Sequence, residues 1–264
     1  MSDLLLADPP LVLCLSGHDP GGGAGIHADL EAIAAQGAHA LTVITALTVQ
    51  DSRDVRRVEA VAPPLIAEQL AVLLADSRIA AIKIGLLGDA AQVPVIVETI
   101  RRTGVPVICD PVLRAGGGAE VSAAPTLAAL RDTLLPHVDL LTPNAAEARR
   151  LAPDAADTAA AAAALRGLGC RQVLVTGGDE ADAEVRNLWL DAEGRAREYR
   201  WPRLAARFHG AGCTLAAAIA GRLAVGDDWA SAIERGQRYT HAALAAAYRT
   251  GQGRLIPRRN RQWN

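Results

Sequence analysis

Lysine is almost missing from this 264-residue chain: Lys83 is the only one. That scarcity excludes a Walker A loop, which needs Gly-Lys followed by Ser or Thr, because Lys83 stands inside an apolar run. Aromatic residues amount to 3%, which leaves few platforms for stacking nucleic-acid bases. Neither sign of charge dominates. A formal net charge of −2 gives no strong pull towards nucleic acid or an anionic membrane. The four cysteines, Cys14, Cys109, Cys170 and Cys213, include no C-x-x-C pair. The pattern argues against a disulfide framework or zinc site and suits reduced, buried thiols in a cytoplasmic protein. A basic leader is also lacking. The Leu4-Leu5-Leu6 patch is too short to cross a bilayer, so neither a signal peptide nor a membrane partner is expected.

What is present is apolar substance and glycine. Half of the residues are hydrophobic and 24 are glycine, enough for a sizeable core punctuated by turns. Residues 11–16 read as a fully buried strand running into a glycine-rich loop, followed by a helix over 26–36. Strand-like runs follow at 40–49, 55–61, 81–84, 105–109, 138–141 and 173–176. Helices are expected after Pro63-Pro64 and over 89–103, 124–135, 155–168, 213–225 and 229–249. A helix also opens at Pro143-Asn144, and 185–190 with 195–201 reads as a hairpin. Continuous apolar strands alternating with helices imply a mostly parallel sheet covered on both faces, a three-layer α/β/α fold. No composition break divides the chain. It reads as one domain, 1–264, with 1–10 and 258–264 as flexible tails and Arg258, Arg259 and Arg261 solvated.

The stretch from His209 to Gly221 carries the most chemical meaning. Gly210, Ala211 and Gly212 are small enough to let a ligand approach the backbone. The helix behind them directs unpaired N–H groups and a positive dipole end towards that gap. Such a junction favours an anion such as phosphate, and the same field would lower the pKa of Cys213 towards the thiolate. The plainer alternative is a tight loop capping a buried helix. Other polar stretches, at 17–25, Gln50-Asp51, Asp110, Asn144 and Thr176-Gly177-Gly178, fall near the carboxyl ends of strands, where open α/β sheets bind ligands. The loop at 21–25 misses the G-x-G-x-x-G spacing because Ile26 stands where the last glycine belongs. His18, Asp19 and His27 suggest a metal site, but no third ligand is readable.

Taken in order, Ser16-Gly17-His18-Asp19-Pro20, residues 22–26, Ala28-Asp29-Leu30, residues 43–50, Lys83-Ile84-Gly85, Asp110-Pro111-Val112, Thr142-Pro143-Asn144 with Glu147, and residues 209–214 resemble a known family. The chain is similar to the hydroxymethylpyrimidine/phosphomethylpyrimidine kinases of thiamin biosynthesis, a branch of the ribokinase-like superfamily. The resemblance implies an ATP- and magnesium-dependent kinase, active as a homodimer. It would phosphorylate 4-amino-5-hydroxymethyl-2-methylpyrimidine and then its monophosphate. Gln50 would pair with the aminopyrimidine edge, with Gly17, Ala24 and Asp29 lining that pocket. Asn144 and Glu147 match an N-x-x-E pattern that helps hold Mg2+ through water, with Asp110 near the same metal. Gly210, Ala211, Gly212 and Cys213 would form the catalytic anion hole, with Cys213 as base. Thr176 and Gly178 would lie by the triphosphate.

Two departures from the family pattern bear on ATP. A family Ala-Lys-Ser-Gly loop is here Ala115-Gly116-Gly117-Gly118, and the lysine before the Gly-Gly turn is Thr176. Either magnesium and the helix N-terminus suffice without that positive charge, or Arg114 substitutes for it. The competing functions are pyridoxal kinase and a non-catalytic pyrimidine or nucleotide sensor.

Overall fold

Consecutive apolar residues can all be buried in one strand only when both faces of the sheet are covered. The computed structural model, which describes residues 8–113, 118 and 121–260, has that arrangement. The chain opens with β1 (Leu11–His18), α1 (Gly25–Ala35), β2 (His39–Gln50), β3 (Val55–Ala60), α2 (Pro63–Asp76) and β4 (Ile79–Ile84). It continues through α3 (Val93–Thr103), β5 (Val107–Cys109), α4 (Ala124–Ala129), β6 (Leu140–Leu141), α5 (Ala145–Leu151) and α6 (Thr158–Gly167). The last third holds β7 (Gln172–Val175), β8 (Glu184–Leu190), β9 (Ala196–Pro202), α7 (Ala211–Ala224) and α8 (Trp229–Ala245).

These strands form one sheet in the order β3-β2-β1-β4-β5-β6-β7-β8-β9. The six from β2 to β7 are parallel, while β3, β8 and β9 run antiparallel at the two edges. Side chains alternate across β1. Leu13 and Leu15 pack with residues of α2 and α3 on one face, whereas Val12 and Cys14 pack with α1, α7 and α8 on the other. The result is the expected three-layer α/β/α architecture. Strand order reverses on either side of β1, so a crevice forms at the carboxyl ends of β1 and β4, where open α/β sheets bind ligands.

The sequence expectations differ from the structure where proline or long-range pairing intervenes. The helix expected over 124–135 is regular only to Ala129; five residues of π geometry and a 3-10 turn, Leu135–His137, follow. Pro136 in that turn has no N–H to continue an α-helical ladder. β6 has two residues instead of four. α8 stops at Ala245, not 249, because Tyr248 pairs with Ile256 and turns the chain back.

The C-terminal tail requires a larger correction. Arg258 donates to the Ala243 and Ala246 carbonyls, and Arg259 is wholly buried. These residues are docked against the body of the fold, and Arg261 lies outside the described residues.

Candidate active site

Two glycine-rich loops meet at the crevice. The first follows β1. Its shape is set by Asp19, whose carboxylate accepts the Gly21, Gly23 and Ala24 amides at 2.8, 3.0 and 2.9 Å. Asp19 also accepts from His209 Nε2 at 2.8 Å, which ties the first loop to the second. Burial works against ionisation of Asp19, but the His209 contact and the loop amides outweigh it and hold the carboxyl below its usual range. Asp19 is thus a backbone organiser, and among the described residues no cluster of three or more His, Cys, Asp or Glu side chains is placed to hold a metal.

The second loop is the start of α7. Gly210 is its N-cap with φ 81°, a left-handed conformation open to glycine. A side chain there would also collide with the Gly23 carbonyl. α7 begins at Ala211, two residues earlier than the sequence suggested, so Ala211, Gly212 and Cys213 supply the unpaired first-turn amides. Nine consecutive residues from Cys213 to Gly221 are buried, which explains why this helix is made of alanine and glycine.

Cys213 corrects a sequence expectation. Burial pushes its thiol up to about 12, with Asp110 and Asp29 adding to the rise and Lys83 and the Gly25 amide opposing it. The helix dipole does not offset the loss of solvent, so the resting sulfur carries its proton. It lies close enough to the Asp110 carboxylate for each to perturb the other, and that carboxylate is 3.3 Å from where a Gly212 Cβ would stand. Burial raises the Asp110 pKa too, against the opposing charge of Lys83.

Beneath the loops is a buried ionic group. Lys83 on β4 lies 2.7 Å from Asp29 on α1, and both side chains are fully buried. Lys83 also donates to Ser16 Oγ at 3.0 Å. Ser16 and Lys83 lie on the face of the sheet that meets α1 and α7, because they alternate with the residues packed against α2 and α3. Burial would lower the Lys83 pKa, but Asp29, Cys213 and Asp110 outweigh it and raise it. Asp29 therefore supports the pocket from below and does not line its surface.

At the acidic side, Asn144 caps α5. Its side-chain oxygen accepts the Glu147 amide at 2.9 Å while Glu147 accepts the Asn144 amide at 3.0 Å, a capping box. The other Glu147 oxygen accepts the Leu113 amide at 3.2 Å. Burial, and then the charge of Asp110, raise Glu147 to about 8. Two buried carboxylates close enough to perturb one another, with Asp110 beside the first turn of α7, fit the hard oxygen donors that a divalent cation takes.

On the opposite side, Gln50 ends β2. Its amide donates to Thr48 Oγ1 at 2.7 Å, and Thr48 donates to the His18 carbonyl at 2.8 Å. One N–H of Gln50 is thereby used, leaving its oxygen and second N–H for a ligand. Gly17 is buried, and a Cβ there would meet Leu86 Cδ2 at 2.9 Å, so its small size serves packing. Ala24 is the half-buried N-cap of α1.

Sequence reasoning missed a cavity of about 130 Å³ behind α7, lined mainly by Trp201, Phe208, Leu215, Gln237, His241 and Leu244, with Gly178 at its edge. Trp201 and His241 stack with ring centroids 5.3 Å apart. Phe208 and Leu215, which line it, flank residues 209–214 in sequence. Its signal was weak because its residues come from β9, the loop after it, α7 and α8. Thr176 is bridged to Asn144 and lines a second cavity with Asp157, Glu180 and Asp182. Arg114 falls outside the described residues.

Residues 19–257 match the profile of phosphomethylpyrimidine kinase. The chain belongs to the phosphomethylpyrimidine kinase family. It is 38% identical over 251 residues to a hydroxymethylpyrimidine/phosphomethylpyrimidine kinase of Rhizobium meliloti, covering 92% of this chain and 94% of the relative. The Escherichia coli kinase of the same name is 36% identical over 242 residues, 89% of this chain and 91% of that protein. Among solved structures, Bacillus subtilis pyridoxal kinase in complex with ADP superimposes with a TM-score of 0.87 at 27% identity, covering 96% of this chain and 98% of that one. A phosphomethylpyrimidine kinase from Clostridium difficile gives a TM-score of 0.77 at 28% identity, covering 89% and 99%. The fold is that of these ribokinase-like kinases.

Proposed function

We propose that this chain transfers the γ-phosphoryl group of ATP to the hydroxymethyl oxygen of 4-amino-5-hydroxymethyl-2-methylpyrimidine, and then to the resulting monophosphate. The observation that carries the reading is the α7 N-terminus, whose free amides lie beside a buried carboxylate and a protonated thiol. It is an anion hole with a proton path next to it. The apolar cavity behind α7 takes the nucleotide base, which leads the triphosphate towards residues 210–213. There the amides of Ala211, Gly212 and Cys213 receive charge developing on the transferring group. Glu147 would help hold Mg2+ with the phosphates through water, with Asp110 near the same ion, and the ion would supply charge neutralisation. In the first reaction the alcohol proton moves to the Cys213 sulfur as the sulfur's own proton moves to Asp110.

Gln50 reads the pyrimidine. Its free oxygen accepts from the 4-amino group and its second N–H donates to a ring nitrogen. Gln50→Leu leaves those ligand groups unpaired and is expected to weaken pyrimidine binding by about 1–3 kcal/mol, measured by calorimetric titration. Unchanged affinity would remove Gln50 from the site.

The resemblance to pyridoxal kinase structures makes pyridoxal the competing acceptor. An ATP-consumption assay with the pyrimidine alcohol, its monophosphate and pyridoxal separates the readings. Turnover of the first two supports the pyrimidine kinase, turnover of pyridoxal alone reverses the assignment, and no turnover leaves a sensor. A homodimer is part of the same proposal, supported by Leu47 and Val49, which are 49% and 47% exposed on β2. A cytoplasmic location is supported by four buried free thiols. No helix among the described residues is long and apolar enough to cross a membrane.

A further inference from the structure

Arg259 is the largest wholly buried side chain among the described residues, and an unpaired charge there would be costly. Its guanidinium is satisfied by groups from three separate parts of the chain. Nε donates to Thr214 Oγ1 at 2.8 Å, and the Thr214 hydroxyl donates in turn to the Gly210 carbonyl at 2.7 Å. Nη1 donates to the Gly22 carbonyl at 3.3 Å and to Glu31 Oε2 at 3.1 Å. Nη2 donates to the Gly23 carbonyl and would stand 2.9 Å from a Cβ at Gly210. The Arg259 carbonyl is itself fixed by the Tyr239 hydroxyl at 2.9 Å.

One planar, rigid fork thus grips the substrate loop through two carbonyls and the anion-hole helix through a hydroxyl one residue beyond Cys213. Lysine could not span these acceptors, because its three donors share one nitrogen. The Asp19–His209 contact joins the same two loops through a different pair of residues, so the loops are fastened at two points. Their mutual register sets the distance between an acceptor oxygen held near residues 22–24 and a phosphoryl group held at 210–213. Phosphoryl transfer depends chiefly on such placement, and a displacement of about 1 Å can cost about 10²-fold in rate.

We infer that Arg259 is a positioning residue for phosphoryl transfer, locking the substrate loop and the anion hole into reacting register from the C-terminal end of the chain. The inference rests on the kinase reading. Wild-type turnover tests that reading, and the ratio of variant to wild type tests this one.

The experiment compares Arg259→Lys and Thr214→Val with wild type in steady-state kinetics, alongside circular dichroism and thermal melting. Thr214→Val is nearly isosteric and removes the Nε acceptor without touching the charge, so it serves even if the arginine variant fails to fold. In folded Arg259→Lys, kcat is expected to fall about 10²-fold for both acceptors, with KM for ATP changed less than about threefold, because the nucleotide-base cavity has no contact with Arg259. Thr214→Val is expected to lose about tenfold in kcat, the share of one of the fork's contacts, with the same unchanged KM for ATP. Adding Arg259→Lys to Thr214→Val is expected to cost less than the product of the two single losses, since both cut the same bond. A kcat within twofold of wild type in either folded single variant would overturn the inference. So would a fall in kcat matched by an equal rise in KM for ATP, which would indicate general loosening of the fold.

Discussion

Replacing Cys213 by alanine is expected to slow the first phosphorylation by about 10²–10⁴-fold, the usual worth of general-base catalysis, while slowing the second far less. The two acceptors differ in one respect. The alcohol must lose a proton as its oxygen bonds to phosphorus. The monophosphate, with a second pKa of about 6, is mostly dianionic at pH 7 and needs no base. The buried thiol, raised to about 12, sharpens the expectation. A sulfur that holds its proton at rest can take the alcohol proton only by passing its own onward, and the neighbouring Asp110 carboxylate is the group placed to receive it. Removing the sulfur breaks that relay but leaves the Ala211 and Gly212 amides aimed at the phosphoryl group. Single-turnover kinetics on each acceptor, wild type beside variant, provides the test. Equal losses in both reactions would make Cys213 a shaper of the anion hole with no part in proton transfer.

The contrast over Cys213 also shows what a sequence can reveal here. The dipole and free amides of α7 were legible in residues 209–221 because they follow from local chain geometry. That burial would outweigh the dipole at the sulfur was not, because it depends on Asp110, Asp29 and α1 closing around it. The same division holds elsewhere. β1 and β4 were readable as buried strands from their largely apolar runs, whereas β6 was overestimated because its length depends on pairing with both neighbours. Asn144 was legible as a cap, because its residue type stands just before the helix, and the capping box with Glu147 agrees. Arg259 could not be read correctly. Three arginines near a terminus suggest solvent, and only the fold brings the Gly22 and Gly23 carbonyls to one of them. Lys83 did carry a signal, as a lone lysine inside an apolar strand, but its partner Asp29 lies on another element.

That ionic pair yields the largest expected change in stability. Lys83→Met keeps the length and apolar stem of the side chain but removes the charge opposite Asp29. A carboxylate that is fully buried in the folded protein then has no cation, and breaking one side of a buried pair costs about 3–5 kcal/mol. Asp110 also loses the nearby charge that opposes its rise, which places the expected loss towards the upper end. The pH dependence follows from linkage. In wild type, the raised Lys83 pKa means its contribution is present throughout the neutral range and is lost only as pH rises through that high value. In the variant Asp110, already raised by burial and now without the opposing charge of Lys83, binds a proton more readily in the folded state. The folded variant then binds more protons than the unfolded chain, so its deficit should shrink as pH falls from 7 towards 5. A second substitution separates charge from packing. Adding Asp29→Leu to Lys83→Met removes the orphan and is expected to recover most of the loss, since apolar replacement of a whole buried pair is often neutral or better. Urea unfolding of the two variants and wild type, at pH 7 and pH 5, measures all three quantities. A loss below about 1 kcal/mol for Lys83→Met, or a deficit that grows on acidification, would mean that water or another cation compensates Asp29 and that the pair is not what holds α1 to the sheet.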